Sequence, residues 1–522
     1  MARFCSILAP QIFLLLHLVT AVHGGEIYTR ADFPADFVFG SGTSAPQAVG
    51  NIVCIHTFYD FVYEGAVFED GRTPSIWDTF VHSGRSKGAN GDVACDGYHK
   101  YKEDIRLMVD TGLEAFRISI SWSRLIPNGR GPISKKGLKY YNNLITELTS
   151  NGIQAHVTLN HLDLPQALED EYGGWLSRNI VKDFVDFADV CFKEFGDRVL
   201  YWTTINEANI AALGGYNEGL IAPGRCSRRS ICAEGDSTTE PYTVVHNMLL
   251  AHSAVAKLYK KKYLATQNGK VGLNVYTLGI VPFTNSTQDV TATQRVIDFY
   301  IGWVINPLIF GDYPDVVKKR AQARIPAFTK QESEQVKGSV DFIGLNHYTT
   351  VYVKDDPSKK KDIQDFYADM AAEVIIKWDP DAPAFEYPVM PWGLKGLLEY
   401  LKQVYGNPPI YIQENGQMTK RNLTLNDTSR VEYLQAYIGG VLDAVRNGSN
   451  TKGYFLWTFL DCLELLNGYE TSFGIYYVDL DDQELTRYQK LSAQWYSNFL
   501  KGKDSNMPNA ITQVHGDQGW SQ

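Results

Sequence analysis

Thr204-Ile205-Asn206-Glu207 and Ile412-Gln413-Glu414-Asn415-Gly416 decide how this chain is read, because each closes an apolar, strand-like run with a glutamate. Two carboxyl groups are the simplest equipment for cleaving a glycosidic bond. One protonates the leaving oxygen while the other attacks the anomeric carbon or activates water. Such a pair works only if the fold brings two distant strands to one mouth.

Working outward, strand-like runs recur at 37–43, 115–121, 154–160, 200–206, 271–278, 340–346, 409–413 and 453–459. Between them, stretches such as 98–110, 136–150, 180–195 and 429–446 carry apolar residues at three- and four-residue spacing. Strand alternating with helix implies a parallel sheet, and eight units imply closure. The expected fold class is α/β, a single (β/α)8 TIM barrel with elaborated loops after its strands. A length of 522 residues would by simple division suggest about three domains. No Pro/Gly/Ser-rich tract or charge block divides the middle, however, and one barrel absorbs this length. Lys260-Lys261-Lys262 and Lys359-Lys360-Lys361 read as solvated faces.

Barrel active sites are built at the carboxyl ends of the strands, and the polar residues fall there. The third run ends in Asn160-His161-Leu162-Asp163, the fourth in Asn206-Glu207 and the sixth in Asn346-His347-Tyr348. The seventh ends in Glu414-Asn415, and the eighth continues through Trp457 to Asp461 and Glu464. In isolation either glutamate reads as a surface charge, and His161 or Trp457 as a satisfied core residue. Their placement at strand ends reverses that preference.

The first residues read as a processing signal. Arg3 precedes an apolar run at 12–19 broken only by His17, and Val22-His23-Gly24 supplies small residues for cleavage. Residues 1–24 are expected to be a signal peptide, 25–502 the barrel and 503–522 a flexible tail. No later segment approaches the ~20 apolar residues of a membrane helix. A soluble protein of the secretory pathway is expected, extracellular or vacuolar, since the tail lacks an endoplasmic reticulum retention signal. Sequons begin at Asn285, Asn422, Asn426 and Asn447. Cys226 and Cys232 share a Gly/Arg/Ser-rich loop and are expected to form a disulfide. Cys5 leaves with the signal, and Cys54, Cys95, Cys191 and Cys462 read as small buried residues. A net charge of −10 with 13% aromatics argues against nucleic acid as a partner and suits carbohydrate stacking. No metal-ligand spacing or nucleotide-binding fingerprint stands out, so no cofactor is expected.

Further stretches carry a resemblance over essentially the whole mature chain: Phe39-Gly40-Ser41-Gly42-Thr43-Ser44-Ala45, Phe116-Arg117-Ile118-Ser119-Ile120-Ser121-Trp122-Ser123-Arg124, His161-Leu162-Asp163-Leu164-Pro165-Gln166, Gly173-Gly174-Trp175 and Asn407-Pro408-Pro409-Ile410-Tyr411. The chain resembles a plant β-glucosidase of glycoside hydrolase family 1. The resemblance implies a retaining, two-step displacement with Glu414 as nucleophile and Glu207 as general acid, then base. It further implies that Gln47, His161 and Asn206 bond sugar hydroxyls, with Asn206 on the 2-hydroxyl. Tyr348 would fix the charge of Glu414, Trp457 would form the sugar platform, Glu464 would take outer hydroxyls and Phe473 would line the rim near the aglycone. A basic neighbour such as Arg117 would hold the nucleophile ionised.

The sequence departs from the family pattern in four places. Ala208 stands where Pro is usual and Gln413 where Thr is usual, and neither change removes a reacting group. Leu465 stands where many relatives carry Trp, which removes one indole donor to the sugar. About fifteen extra residues separate Gln47 from Glu64-Gly65-Ala66, so the apolar and aromatic segment 48–63 is expected either to pack as a lid or to be an irregularity of the gene model. Hydrolysis of β-D-glucosides by water is the expected reaction. Acyl-glucose-dependent transfer to an alcohol acceptor and sugar binding without turnover are the alternatives, and oligomeric state is left open.

Overall fold

Strands that fill a barrel on one face and meet helices on the other are buried along their length rather than on alternate residues, and these segments follow that rule. Every residue of Ala115–Ser119 and of Ile410–Asn415 is buried. The computed structural model describes residues 28–45, 61–85, 90–357, 363–383, 385–421, 425–461, 463–464 and 470–503. Eight of its strands form the barrel: β1 Val38–Gly42, β2 Ala115–Ser119, β3 Gln154–Asn160, β4 Tyr201–Ile205, β5 Lys270–Pro282, β6 Phe342–Asp355, β7 Ile410–Asn415 and β8 Thr451–Leu456. They run in the order β5-β4-β3-β2-β1-β8-β7-β6, and β5 pairs with β6 to close the ring. All eight pairings are parallel.

The expected strands are present, but β5 and β6 run further than the sequence suggested. Past the barrel they continue as a ribbon as far as the Pro282 and Val353 pair, and Ala372–Ile375 adds antiparallel to β6. Gly279 and Asn346-His347 break the apolar runs there, which hid the extension.

The outer layer includes α1 Gly97–Thr111, α2 Lys135–Ser150, α3 Asn179–Phe195, α4 Glu240–Lys262, α5 Pro391–Val404 and α6 Thr428–Arg446. In α3 the buried stripe is Ile180, Phe184, Phe187, Ala188, Cys191, Phe192 and Phe195, the spacing that puts one helix face on the sheet. Each of those phenylalanines contributes roughly 1.5–3 kcal/mol by leaving water, and truncating one to Ala would cost about 3–5 kcal/mol. α1 ends where Gly112 turns left-handed at φ 91° and its N–H reaches Met108 O at 3.0 Å, a conformation that costs glycine nothing.

Near the amino-terminal ends of the strands, Ala115, Tyr201, Phe342, Tyr411 and Phe455 pack into a plug of their own. Tyr201 also stacks flat on His156 at 4.3 Å. The interior is therefore closed by aromatics below and left to polar side chains above.

Cys226 and Cys232 form the expected disulfide, and Cys191 is a buried free thiol. Cys95 departs from expectation: it is buried but disulfide-bonded, and a bridge between distant segments leaves no local spacing to read. Its partner lies outside the described residues, as do Cys54 and Cys462. Residues 1–24, Gln47, Asn422, Leu465, Lys359-Lys360-Lys361 and the tail beyond Lys503 also lie outside them. Of the segment 48–63 only its end is described. Phe61–Val62 pairs antiparallel with Leu463–Glu464, and Tyr63 N–H donates to Ser44 O at 3.1 Å, so the chain on either side of 46–60 lies together.

Candidate active site

Glu207 is the second residue past β4 and takes a left-handed conformation, φ 44° and ψ 56°. That costs a non-glycine residue roughly 1–2 kcal/mol, and the surroundings hold it there. Its N–H donates to Asn274 Oδ1 of β5 at 3.2 Å, and its carbonyl accepts from Ile210 and Ala211, both at 2.9 Å, opening the short helix Ala208–Ala212. The turn carries the carboxyl from the strand end into the mouth. Glu414 arrives on β7, where the register against β6 slips between the Leu345–Ile412 and Asn346–Glu414 pairs. Such an irregularity re-aims a side chain at a barrel rim.

Four elements converge on these carboxyls. Arg117 of β2 forks, with Nη1 donating to Glu414 Oε1 at 2.6 Å and Nη2 to Asn206 Oδ1 at 2.7 Å. Tyr348 of β6 donates its hydroxyl to Glu414 Oε2 at 2.8 Å. Asn346, two residues earlier on that strand, donates from Nδ2 to Glu207 Oε1 at 2.7 Å and to Asn206 Oδ1 at 3.2 Å. With its oxygen taken by two donors, Asn206 turns its amide nitrogen to His161 Nε2 at 3.0 Å. His161 thus accepts at Nε2, and burial together with the Arg117 charge keeps its pKa well below the ordinary imidazole value.

The two carboxyls differ in their partners. Burial pushes Glu207 well above the usual carboxylate range, and the charge of Glu414 adds to that. Burial raises Glu414 as well, but the charge and hydrogen bond of Arg117 and the Tyr348 hydroxyl pull it back. An arginine bonded to one carboxylate and an amide to the other is the asymmetry by which one can stay ionised while its neighbour carries a proton.

Trp457 and Phe473 pack against residues of this network. Trp457, buried at the end of β8, stacks on His161 with ring centres 6.0 Å apart. Phe473 is buried and packs edge-on against Tyr348 at 5.6 Å. The Tyr348 carbonyl accepts from Tyr433 at 2.6 Å and Tyr437 at 3.3 Å, so α6 supports it from outside. Glu464 is described only by its backbone pairing with Phe61, and Gln47 lies outside the described residues.

Asn346, Asn274 and Thr203 also belong to this network, and the sequence pattern assigns them no role. Asn346 stood in view in Asn346-His347-Tyr348, and Asn274 interrupts the apolar run of β5, a polar residue where the barrel wants none. Thr203 carries no such signal. Among the described residues, no group of three or more His, Cys, Asp or Glu could hold a metal ion.

Residues 29–505 match the family model Glycosyl hydrolase family 1. Beta-glucosidase 11 of Arabidopsis thaliana is 54% identical over 94% of this chain and 96% of its own. Beta-glucosidase 2 of Oryza sativa subsp. japonica is 53% identical over 95% and 97%. Among solved structures, a rice β-glucosidase mutant in a covalent complex with Glc superposes with TM-score 0.85 at 42% identity, covering 91% of this chain and 99% of that one. A β-glucosidase of the fungus Humicola insolens in complex with glucose gives TM-score 0.83 at 37% identity, covering 90% and 98%. The chain belongs to glycosyl hydrolase family 1.

Proposed function

We propose that the protein is a retaining β-glucosidase that releases β-D-glucose from small plant glucosides. The observation that carries this is the unequal environment of the two glutamates. Glu414, held by Arg117 and Tyr348, is the nucleophile that bonds the anomeric carbon. Glu207, bonded to an amide and raised by burial, protonates the departing aglycone and then deprotonates the incoming water. A glycoside and water are the reactants.

In this reading Asn206 addresses the 2-hydroxyl, whose contact strengthens as the ring gains oxocarbenium character. His161 and Gln47 bond other hydroxyls, Trp457 presents a face to the sugar, Glu464 takes the outer hydroxyls and Phe473 stands toward the aglycone. The names of the relatives favour hydrolysis over acyl-glucose-dependent transfer or binding without turnover.

The chain enters the secretory pathway in this reading, with residues 1–24 removed and 25–502 as one barrel, destined for the extracellular space or vacuole. A Cys226–Cys232 disulfide suits an oxidising compartment, and Asn285 and Asn447 are exposed for glycosylation. Among the described residues, no helix is long and apolar enough to cross a membrane.

Proton NMR of the first product from an aryl β-glucoside tests the mechanism. Initial appearance of the β-anomer, lost in Glu414→Gln, is expected. Initial α-anomer would overturn the retaining assignment, and undiminished turnover in Glu414→Gln would overturn the nucleophile.

A further inference from the structure

Gln413 lies inside the barrel beneath the carboxylates, with no exposed surface. Burying a primary amide is costly unless its hydrogen bonds are made, and nothing in the displacement chemistry asks for one here. Its bonds are made. Nε2 donates to Thr203 Oγ1 on β4 at 2.7 Å, and Oε1 accepts from Asn274 Nδ2 on β5 at 2.9 Å. Space comes from Gly344 on β6, where a Cβ would stand 2.2 Å from Gln413 Oε1.

The bonding continues upward. Asn274 Nδ2 also donates to Asn346 Oδ1 at 2.7 Å, while its Oδ1 accepts the Glu207 N–H at 3.2 Å. With its oxygen so engaged, Asn346 must present Nδ2 to the mouth, where it donates to Glu207 Oε1 at 2.7 Å. A side-chain amide turned end for end fills nearly the same space, so sterics alone do not choose its orientation. The Gln413 carbonyl and the Glu207 N–H together choose it for Asn274, and Asn274 chooses it for Asn346.

We propose that Gln413 is a positioning residue for Glu207, acting through Asn274 and Asn346 to keep a donor on Glu207 Oε1, so that the proton passed to the leaving group resides on Oε2. The inference rests on the reading of Glu207 as acid and base. The titratable and charged groups facing the pair are Glu414 on β7, Arg117 on β2, His161 beyond β3 and Tyr348 on β6. Gln413, Asn274 and Asn346 are neutral, so changing Gln413 leaves the local charge untouched and alters only which hydrogen bonds reach Glu207.

The test is the pH profile of kcat/KM for Gln413→Met, which keeps the length of the side chain and removes both bonds. Thr203→Val cuts the same bridge from its other end and carries the test if the first variant fails to fold. Loss of the constraint on Asn346 weakens the donor that favours the ionised form, so the alkaline limb set by Glu207 should rise by roughly half a pH unit. Turnover of an alkyl glucoside should fall about tenfold with KM little changed. A limb at the wild-type position in both folded variants would overturn the proposal.

Glu207→Gln is measured alongside. It should lower kcat/KM, which reports the first step, far more for alkyl glucosides than for dinitrophenyl glucoside, whose leaving group needs no proton. An equal fall in kcat/KM for both would instead overturn the acid assignment, whatever the Gln413 variants do.

Discussion

Arg117 and Glu414 form an ion pair at 2.6 Å in which both side chains are only 1% exposed. A buried pair is costly to break because the surviving charge is left uncompensated. The same guanidinium reaches Asn206, so one residue couples the ionisation of the nucleophile to the orientation of the amide next to the acid.

Arg117→Lys keeps the charge and gives up the fork. Glu414 must be ionised to attack, and a weaker cation lets burial raise its pKa further. The acid limb of kcat/KM should therefore move to higher pH by about one unit, with a fall of about 100-fold at the optimum. A pH–rate profile checks this, and an unmoved acid limb would show that the pair does not set the ionisation of Glu414.

Tyr348→Phe separates hydrogen bonding from packing. The ring, held by Phe473 and by Tyr387 at 5.9 Å, should stay in place, so thermal stability should change by less than about 1.5 kcal/mol. Loss of the donor to Glu414 Oε2 should lower kcat about 10- to 100-fold, the range for a hydrogen bond to a charged group. Calorimetry beside steady-state kinetics separates the two effects, and an unchanged kcat would remove Tyr348 from the catalytic set.

The barrel was legible because its strands open as mostly apolar runs and its helices carry a one-sided stripe, patterns that depend only on near neighbours in sequence. The carboxylates were legible because each interrupts such a run at its polar end. The bridge of Thr203, Gln413, Asn274 and Asn346 was not, since its members lie on four strands and no local period links them. The disulfide of Cys95 escaped for the same reason, whereas Cys226–Cys232, six positions apart, was read directly.

His347 gives a stability prediction with a definite sign. It is fully buried beside Tyr437, neither ring nitrogen has a hydrogen-bond partner among the described residues, and burial lowers its pKa to about 3. The unfolded chain takes up that proton near pH 6.5 and the folded one does not. The stability tied to neutral His347 is complete above pH 6.5 and is lost as pH falls from there toward 3, at a slope approaching about 1.4 kcal/mol per pH unit. His347→Phe removes this contribution, so melting curves of variant and wild type should diverge in favour of the variant as pH drops below 6.5. Parallel curves would refute the assignment.

Gly344 and Gln413 supply a prediction in which sequence and packing meet. Gly344 is a strand residue without a left-handed backbone conformation. The constraint is space, because an added Cβ would stand 2.2 Å from Gln413 Oε1 and 3.1 Å from Asn274 Nδ2. Gly344→Ala should therefore displace the amide bridge and destabilise the fold by about 1–3 kcal/mol, the usual cost of overpacking a tight interior. Gln413→Thr installs the shorter residue usual in the family and vacates that space, so Gly344→Ala should be nearly neutral in its background. A double-mutant cycle on thermal or denaturant unfolding measures the coupling, expected to be of the order of 1 kcal/mol or more for side chains in contact. Additive effects would mean that Gly344 is required by something other than Gln413. Strong coupling would tie the glycine on the sixth strand to the amide on the seventh as one packing unit beneath the two glutamates.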